Sequence, residues 1–127
     1  MKYLLDTHIF IWWILDDPKL SDVFKSKISN SNNEFYFSAA SAWEIVIKSS
    51  IGKLTLPDSP EKFINDQLHQ NRIIELGITI EHTLQLLTLP FLHKDPFDRI
   101  LIAQSNFEQI TIITDDVLIK QYDVKVL

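Results

Sequence analysis

The stretch "KYLLDTHIFIWWIL", Lys2 to Leu15, decides the fold. "KYLL" reads as a short buried strand and "HIFIWWIL" as a helix that ends near "DDP". Asp6 stands between them, at the carboxyl end of the strand. The alternation continues outward from there. "SDVFKSKI" is a second helix with Ser21 as its cap. "EFYFS" is a strand, followed by the long helix "AASAWEIVIKSSI", which Gly52 is placed to close. "SPEKFINDQLHQN" is a helix with Pro60 in its first turn, and "RIIEL" is the third strand. "TIEHTLQLLTL" is a helix stopped before Pro90, and "PFDRILIAQSNF" is the next. "QITIIT" is strand four, "DDVLIKQY" a short helix, and "VKVL" a candidate edge strand. Strand alternating with helix predicts an α/β fold with a mainly parallel sheet covered on both faces. In such sheets, sites gather at the carboxyl ends of the strands.

Composition sets the outer bounds. A chain of 127 residues, 46% hydrophobic and 23% charged, is expected to form one domain spanning residues 1–127. The absence of cysteine excludes disulfides and thiolate metal sites. "IFIWWIL" is far shorter than the about 20 residues that a membrane span needs. Asp6 and His8 interrupt the region where a signal peptide would be unbroken and apolar. No membrane partner and a cytoplasmic location are therefore expected. The net charge of −5 argues against holding nucleic acid by bulk positive charge. It is compatible with negative charge concentrated in a cation-binding site.

The acids fall in a pattern. Asp6 follows strand one, and Asp115 and Asp116 follow strand four, so both sets belong on the same edge of the sheet. Glu44 lies in a helix surrounded by Ala39, Ala40, Ala42, Trp43, Ile45, Val46 and Ile47. Such a helix is buried, and a carboxylate in it needs a partner. Asp98 has the same problem among Phe97, Ile100, Leu101, Ile102 and Ala103. Hard divalent cations such as Mg²⁺ and Mn²⁺ prefer carboxylate oxygens and would relieve both the repulsion and the burial. Simpler roles exist for each acid alone. Asp6 can be a helix N-cap, and Glu44 can pair with Lys48 four residues on. Asp95 is a good N-cap before Pro96, and Asp98 fits the third position of a capping box. His8 and His93 lie near the acids in sequence, whereas His69 and His82 read as helix-surface residues. Of the adjacent Trp12 and Trp13, one is expected in the core and the other at the surface.

Together, "LLDTHIFIWW", "SAASAWEIVIKSSIGKL", "HKDPFDRILIAQS" and "IITDD" resemble the PIN domain, specifically the VapC-like toxins of bacterial toxin–antitoxin pairs. The resemblance runs through almost the whole chain. It implies a three-layer α/β/α sandwich with a parallel sheet, and a ribonuclease dependent on Mg²⁺ or Mn²⁺. Carried over by motif, the metal-binding and catalytic acids would be Asp6, Glu44, Asp98 and Asp116. Thr114 completes a Thr-x-Asp motif, and Thr7, Lys48 and Arg99 are candidate supporting residues. Arg99 would either pair with Asp95 or meet a substrate phosphate. Local cations, among them Lys48, Lys53, Lys94 and Arg99, would hold the RNA. The resemblance also implies a cognate antitoxin, with a homodimer as the expected assembly, both supported by apolar surface on "HIFIWWILDD" and the following helix. Two other classes remain open at this point. One is a non-catalytic module on the same fold. The other is a phosphohydrolase using an aspartyl-phosphate, against which Asp6-Thr7-His8 lacks the expected Asp-x-Asp.

Overall fold

The computed structural model describes residues 1–127. In chain order the elements are β1 (Lys2–Leu5), α1 (Thr7–Ile14), α2 (Asp22–Ser29), β2 (Glu34–Ser38), α3 (Ala39–Ser50), α4 (Pro60–Gln70), β3 (Ile74–Leu76), α5 (Ile80–Gln85), α6 (Pro96–Glu108) and β4 (Thr111–Ile113). Single 3₁₀ turns follow α5, at Leu86–Thr88, and β4, at Ile119–Gln121. The four strands form one parallel sheet in the order β3-β2-β1-β4.

The period-2 alternation of the strands builds two cores, one on each face. Tyr3, Leu5, Phe35, Phe37 and Ile113 point to one side, where they meet Ile9 and Phe10 of α1, Ile28 of α2, Ile45 of α3 and Phe63 of α4. Leu4 and Ile112 point to the other side, against Leu101 and Ile102 of α6 and Ile119 and Tyr122 beyond β4. Ala40, Ile100 and Ala103 form a smaller contact between α3 and α6. The result is the α/β/α arrangement expected from the sequence.

The predicted elements recur, with three differences. "DDVLIKQY" is not a helix but a 3₁₀ turn at Ile119–Gln121. There the side chains of Thr114 and Asp116 accept the N–H groups of Asp116 and Leu118, which competes with helix formation. "VKVL" forms no full strand. Val126 makes one parallel bridge to Ile112 on the outer edge of β4. Trp12 and Trp13 do not divide between core and solvent. Both are half-buried against the first core, and Trp13 Nε1 donates to Asn71 Oδ1 at 3.3 Å. Gly52 closes α3 as expected, with φ +75. Its N–H donates to Ser49 O, and the Lys53 N–H to Lys48 O, the two bonds of a Schellman motif.

The sheet order fixes where a site can form. The chain runs outward from β1 to β2 to β3, then crosses back to place β4 on the other side of β1. The reversal point lies between β1 and β4, where diverging connections open a crevice at the carboxyl ends.

Candidate active site

Asp6 leaves β1 at that reversal point. Its backbone N–H continues the ladder to Ile113 O at 3.1 Å. Asp6 sits at the N-cap position of α1, yet its side chain caps nothing. Instead, the Thr114 hydroxyl donates to Asp6 Oδ2 at 2.7 Å. Asp6 Oδ1 is buried without a hydrogen-bond partner. Burial pushes the Asp6 carboxyl above its ordinary range, against the lowering effect of the Thr114 hydrogen bond.

Asp98 enters from α6. Pro96 and Asp95 start that helix, and Asp95 Oδ1 accepts the Phe97 N–H at 2.9 Å and the Asp98 N–H at 3.5 Å. This leaves the Asp98 side chain free of capping, and it turns inward. Its Oδ2 lies 2.6 Å from His93 Nε2. Burial first, then the negative charges of Asp6 and Asp95, push the Asp98 carboxyl up to about 7, despite the His93 hydrogen bond. Asp116 approaches from beyond β4. Its N–H donates to Thr114 Oγ1 at 3.0 Å and its Oδ1 accepts the Leu118 N–H at 2.8 Å. Its Oδ2 lies 3.8 Å from His93 Nε2. One donor atom each from His93, Asp98 and Asp116 fall within 4.8 Å of one another. Asp115, by contrast, points into solvent.

Glu44 is buried on α3, and its Oε2 pairs with Lys48 Nζ at 2.7 Å, the i,i+4 partner expected from the sequence. Its other oxygen, Oε1, is buried and unpartnered. The same ion pair raises the Lys48 ammonium above its ordinary value. Glu44 opens onto a cavity of about 300 Å³ that Thr7, His8, Lys48 and Lys53 also line. The Thr7 hydroxyl donates to Ser41 Oγ at 2.8 Å, tying α1 to α3 beside this cavity.

Two expectations need correcting. Arg99 reaches neither the Asp95 carboxylate nor open solvent. It is 8% exposed, donates from Nη1 to Pro90 O at 2.8 Å and to the Tyr122 hydroxyl at 3.0 Å, and lies over the Phe91 ring at 4.3 Å. A guanidinium so placed braces the loop before α6. His82 is fully buried rather than on a helix surface. Its Nδ1 accepts the Thr79 N–H and its Nε2 donates to Glu108 Oε1 at 2.9 Å, locking α5 onto α6. Its polar neighbours Glu81 and Thr83 made this face read as solvated. Tyr122, which no sequence signal singled out, receives the N–H groups of Leu92 and His93 at 3.0 and 2.9 Å.

The donor set suits a hard divalent cation. Two buried carboxylate oxygens, Asp6 Oδ1 and Glu44 Oε1, have no partner. Such groups are costly unless something compensates them. Asp98 is raised by burial first and then by its acidic neighbours, whose repulsion a bound cation would reverse.

No curated protein sequence matches the chain. Solved structures match its fold over nearly its full length. VapBC2 from Rickettsia felis, bound to a promoter DNA fragment, superposes with a TM-score of 0.75 at 17% identity, covering 100% of this chain and 98% of that one. DNA-bound VapBC from Salmonella typhimurium gives 0.74 at 12% identity, covering 100% and 97%. VapBC-1 from nontypeable Haemophilus influenzae gives 0.70 at 19% identity, with 100% and 97% covered. The sequence itself matches the PIN domain over residues 3–125, from the second residue of β1 to beyond the last 3₁₀ turn. With that match spanning the strand order, both cores and every acid of the crevice, the chain belongs to the PIN domain family.

Proposed function

We propose that the protein is a metal-dependent endoribonuclease, the toxin of a type II toxin–antitoxin pair acting in the cytoplasm. The observation that carries the reading is the convergence of Asp6, Asp98 and Asp116 on the β1–β4 reversal point, with Asp6 Oδ1 and, on the adjoining α3, Glu44 Oε1 buried and unpartnered. Asp6, Asp98, Asp116 and Glu44 would hold Mg²⁺ or Mn²⁺. When bound, the cation supplies Lewis-acid stabilisation of the phosphate charge and lowers the pKa of a water.

The residues divide the remaining work. Thr114 fixes the Asp6 carboxylate and, through the Asp116 N–H, the turn that carries Asp116. Glu44, anchored on one oxygen by Lys48, keeps its second oxygen available to orient a water or to add to the donor set. In-line attack by water forms the new P–O bond and breaks the bond to the 3′ oxygen, which takes up a proton. The products are a 5′-phosphate and a 3′-hydroxyl. Lys48 and Lys53 line the cavity beside Glu44 and give a flanking RNA phosphate a cationic seat on an otherwise acidic protein. The VapBC-type neighbours support an antitoxin partner and a toxin role.

The test is incubation of structured RNA with the purified protein and Mn²⁺, with and without chelator. Cleavage that chelator abolishes, with 5′-phosphate ends, is the expected result. No cleavage with Mn²⁺ would favour the non-catalytic module.

A further inference from the structure

We propose that His93 is a nitrogen ligand of the site's divalent cation, grouped with Asp98 and Asp116, and that Tyr122 and Arg99 are the positioning residues that hold it there. The inference rests on reading the crevice as a cation centre.

His93, Asp98 and Asp116 form the one tight donor cluster of the crevice, and neither Asp6 nor Glu44 belongs to it. Nε2 of His93 lies 2.6 Å from Asp98 Oδ2 and 3.8 Å from Asp116 Oδ2. In an octahedral shell with bonds of about 2.1 Å, neighbouring donors stand about 3 Å apart and opposite ones about 4 Å. The cluster therefore needs only small adjustments, with the His93–Asp98 hydrogen bond exchanged for two bonds to the ion. The side chain of His93 is 12% exposed, so it is held in place rather than swept through solvent.

Its placement is over-determined from behind. The backbone N–H groups of Leu92 and His93 and the guanidinium of Arg99 all point at the Tyr122 hydroxyl oxygen. Three donors exceed the two lone pairs of a hydroxyl, so they share it. Arg99 also clamps Pro90 O and covers Phe91. This buried arrangement fixes a loop that has no regular secondary structure, and what it delivers to the crevice is the His93 ring. A loop that only needed anchoring would not need its imidazole aimed between two carboxylates.

An imidazole among carboxylates shifts the site from a purely hard-oxygen set toward transition metals, so His93 should favour Mn²⁺ over Mg²⁺. Electron spin-echo modulation spectroscopy of the Mn²⁺-loaded protein reads the nitrogen directly. We expect ¹⁴N modulation in wild type and in His8→Gln, and none in His93→Gln. Mn²⁺ affinity, measured from the free-ion resonance, should fall on the order of tenfold in His93→Gln, with a smaller loss for Mg²⁺ measured by competition. Tyr122→Phe should keep the modulation but bind Mn²⁺ more weakly. Stoichiometric Mn²⁺ without ¹⁴N modulation overturns the inference and leaves the cation centre standing. So does modulation that persists in His93→Gln or disappears in His8→Gln. A wild-type protein that binds no Mn²⁺ overturns both.

Discussion

At the scale of single residues, the Asp98 carboxyl links stability, pH and metal. Its value of about 7 in the folded protein lies above that of an unfolded aspartate, about 4. The neutral form therefore contributes stability that is fully present below the unfolded value and is lost as pH rises through about 7. Metal-free wild type and Asp98→Asn should melt together near pH 4 and diverge above it, the variant becoming the more stable at pH 8. Calorimetry in chelator measures this, and a variant that is less stable at every pH would contradict it. In Mn²⁺ the order should reverse, because the ion stabilises only the chain that binds it, and RNA cleavage by Asp98→Asn should be abolished. The neighbours Asp115 and Asp116 give a second contrast. Asp116 caps its turn through Leu118 and faces His93, whereas Asp115 is solvated. Asp116→Ala should lose Mn²⁺ binding in a calorimetric titration, and about 1 kcal/mol of stability with the cap. Asp115→Ala should change stability by less than about 0.5 kcal/mol and leave the titration intact. The larger binding loss in Asp115→Ala would show that the wrong neighbour was assigned.

At the scale of elements, the site depends on the irregular segments before α6 and beyond β4. Tyr122→Phe keeps the ring in the second core but removes the acceptor of three N–H donors. Leaving buried donors unpaired should cost about 1–3 kcal/mol. Hydrogen exchange at the Leu92 and His93 amides should quicken more than in the sheet, and equal effects throughout would mean global loosening instead. These same segments were the least legible in the sequence. The regular elements were readable because their signals are local: a strand followed by Asp6, the Ser21 cap, Pro60 in the first turn of α4, Pro96 after Asp95, and Gly52 at the end of α3. Glu44 and Asp98 stood out as well, since a carboxylate inside an apolar helix is anomalous by itself. Arg99, Tyr122 and His82 were not readable. Their partners lie nine, about thirty and twenty-six residues away across irregular backbone, and no periodicity marks such pairs. "DDVLIKQY" carries a helical pattern, but a single short turn does not offset the cost of nucleation once Thr114 and Asp116 claim its N–H groups.

At the scale of the whole molecule, exposed apolar side chains stand both beside the acids, at Trp43, Phe91 and Val117, and along α5. Acids crowd the carboxyl edge of the sheet, while an uncovered apolar face runs along α5 and the turn after it. Ile80, Leu84 and Leu87 recur at helical spacing on that face and are 74%, 57% and 84% exposed. The sequence had directed attention to α1 and the helix after it instead, where Ile9, Phe10, Ile11 and Ile28 are buried and both tryptophans half-covered, leaving Leu15 and Val23 at the surface. An uncovered stripe of this kind on so small a protein marks an interaction site. We propose a second copy as its occupant, because a two-fold pairing would set the same stripe against itself and bury apolar residues from both chains at once. A standard interface takes about 800 Å² from each partner, on the order of a tenth of the 7397 Å² surface. Light scattering should therefore give a dimer for wild type and a monomer for Leu87→Glu, with unchanged circular dichroism because Leu87 packs into neither core. The acids lie elsewhere, so Leu87→Glu should bind Mn²⁺ as wild type does. A wild-type monomer, or a Leu87→Glu dimer, would place the second copy on another face or remove it.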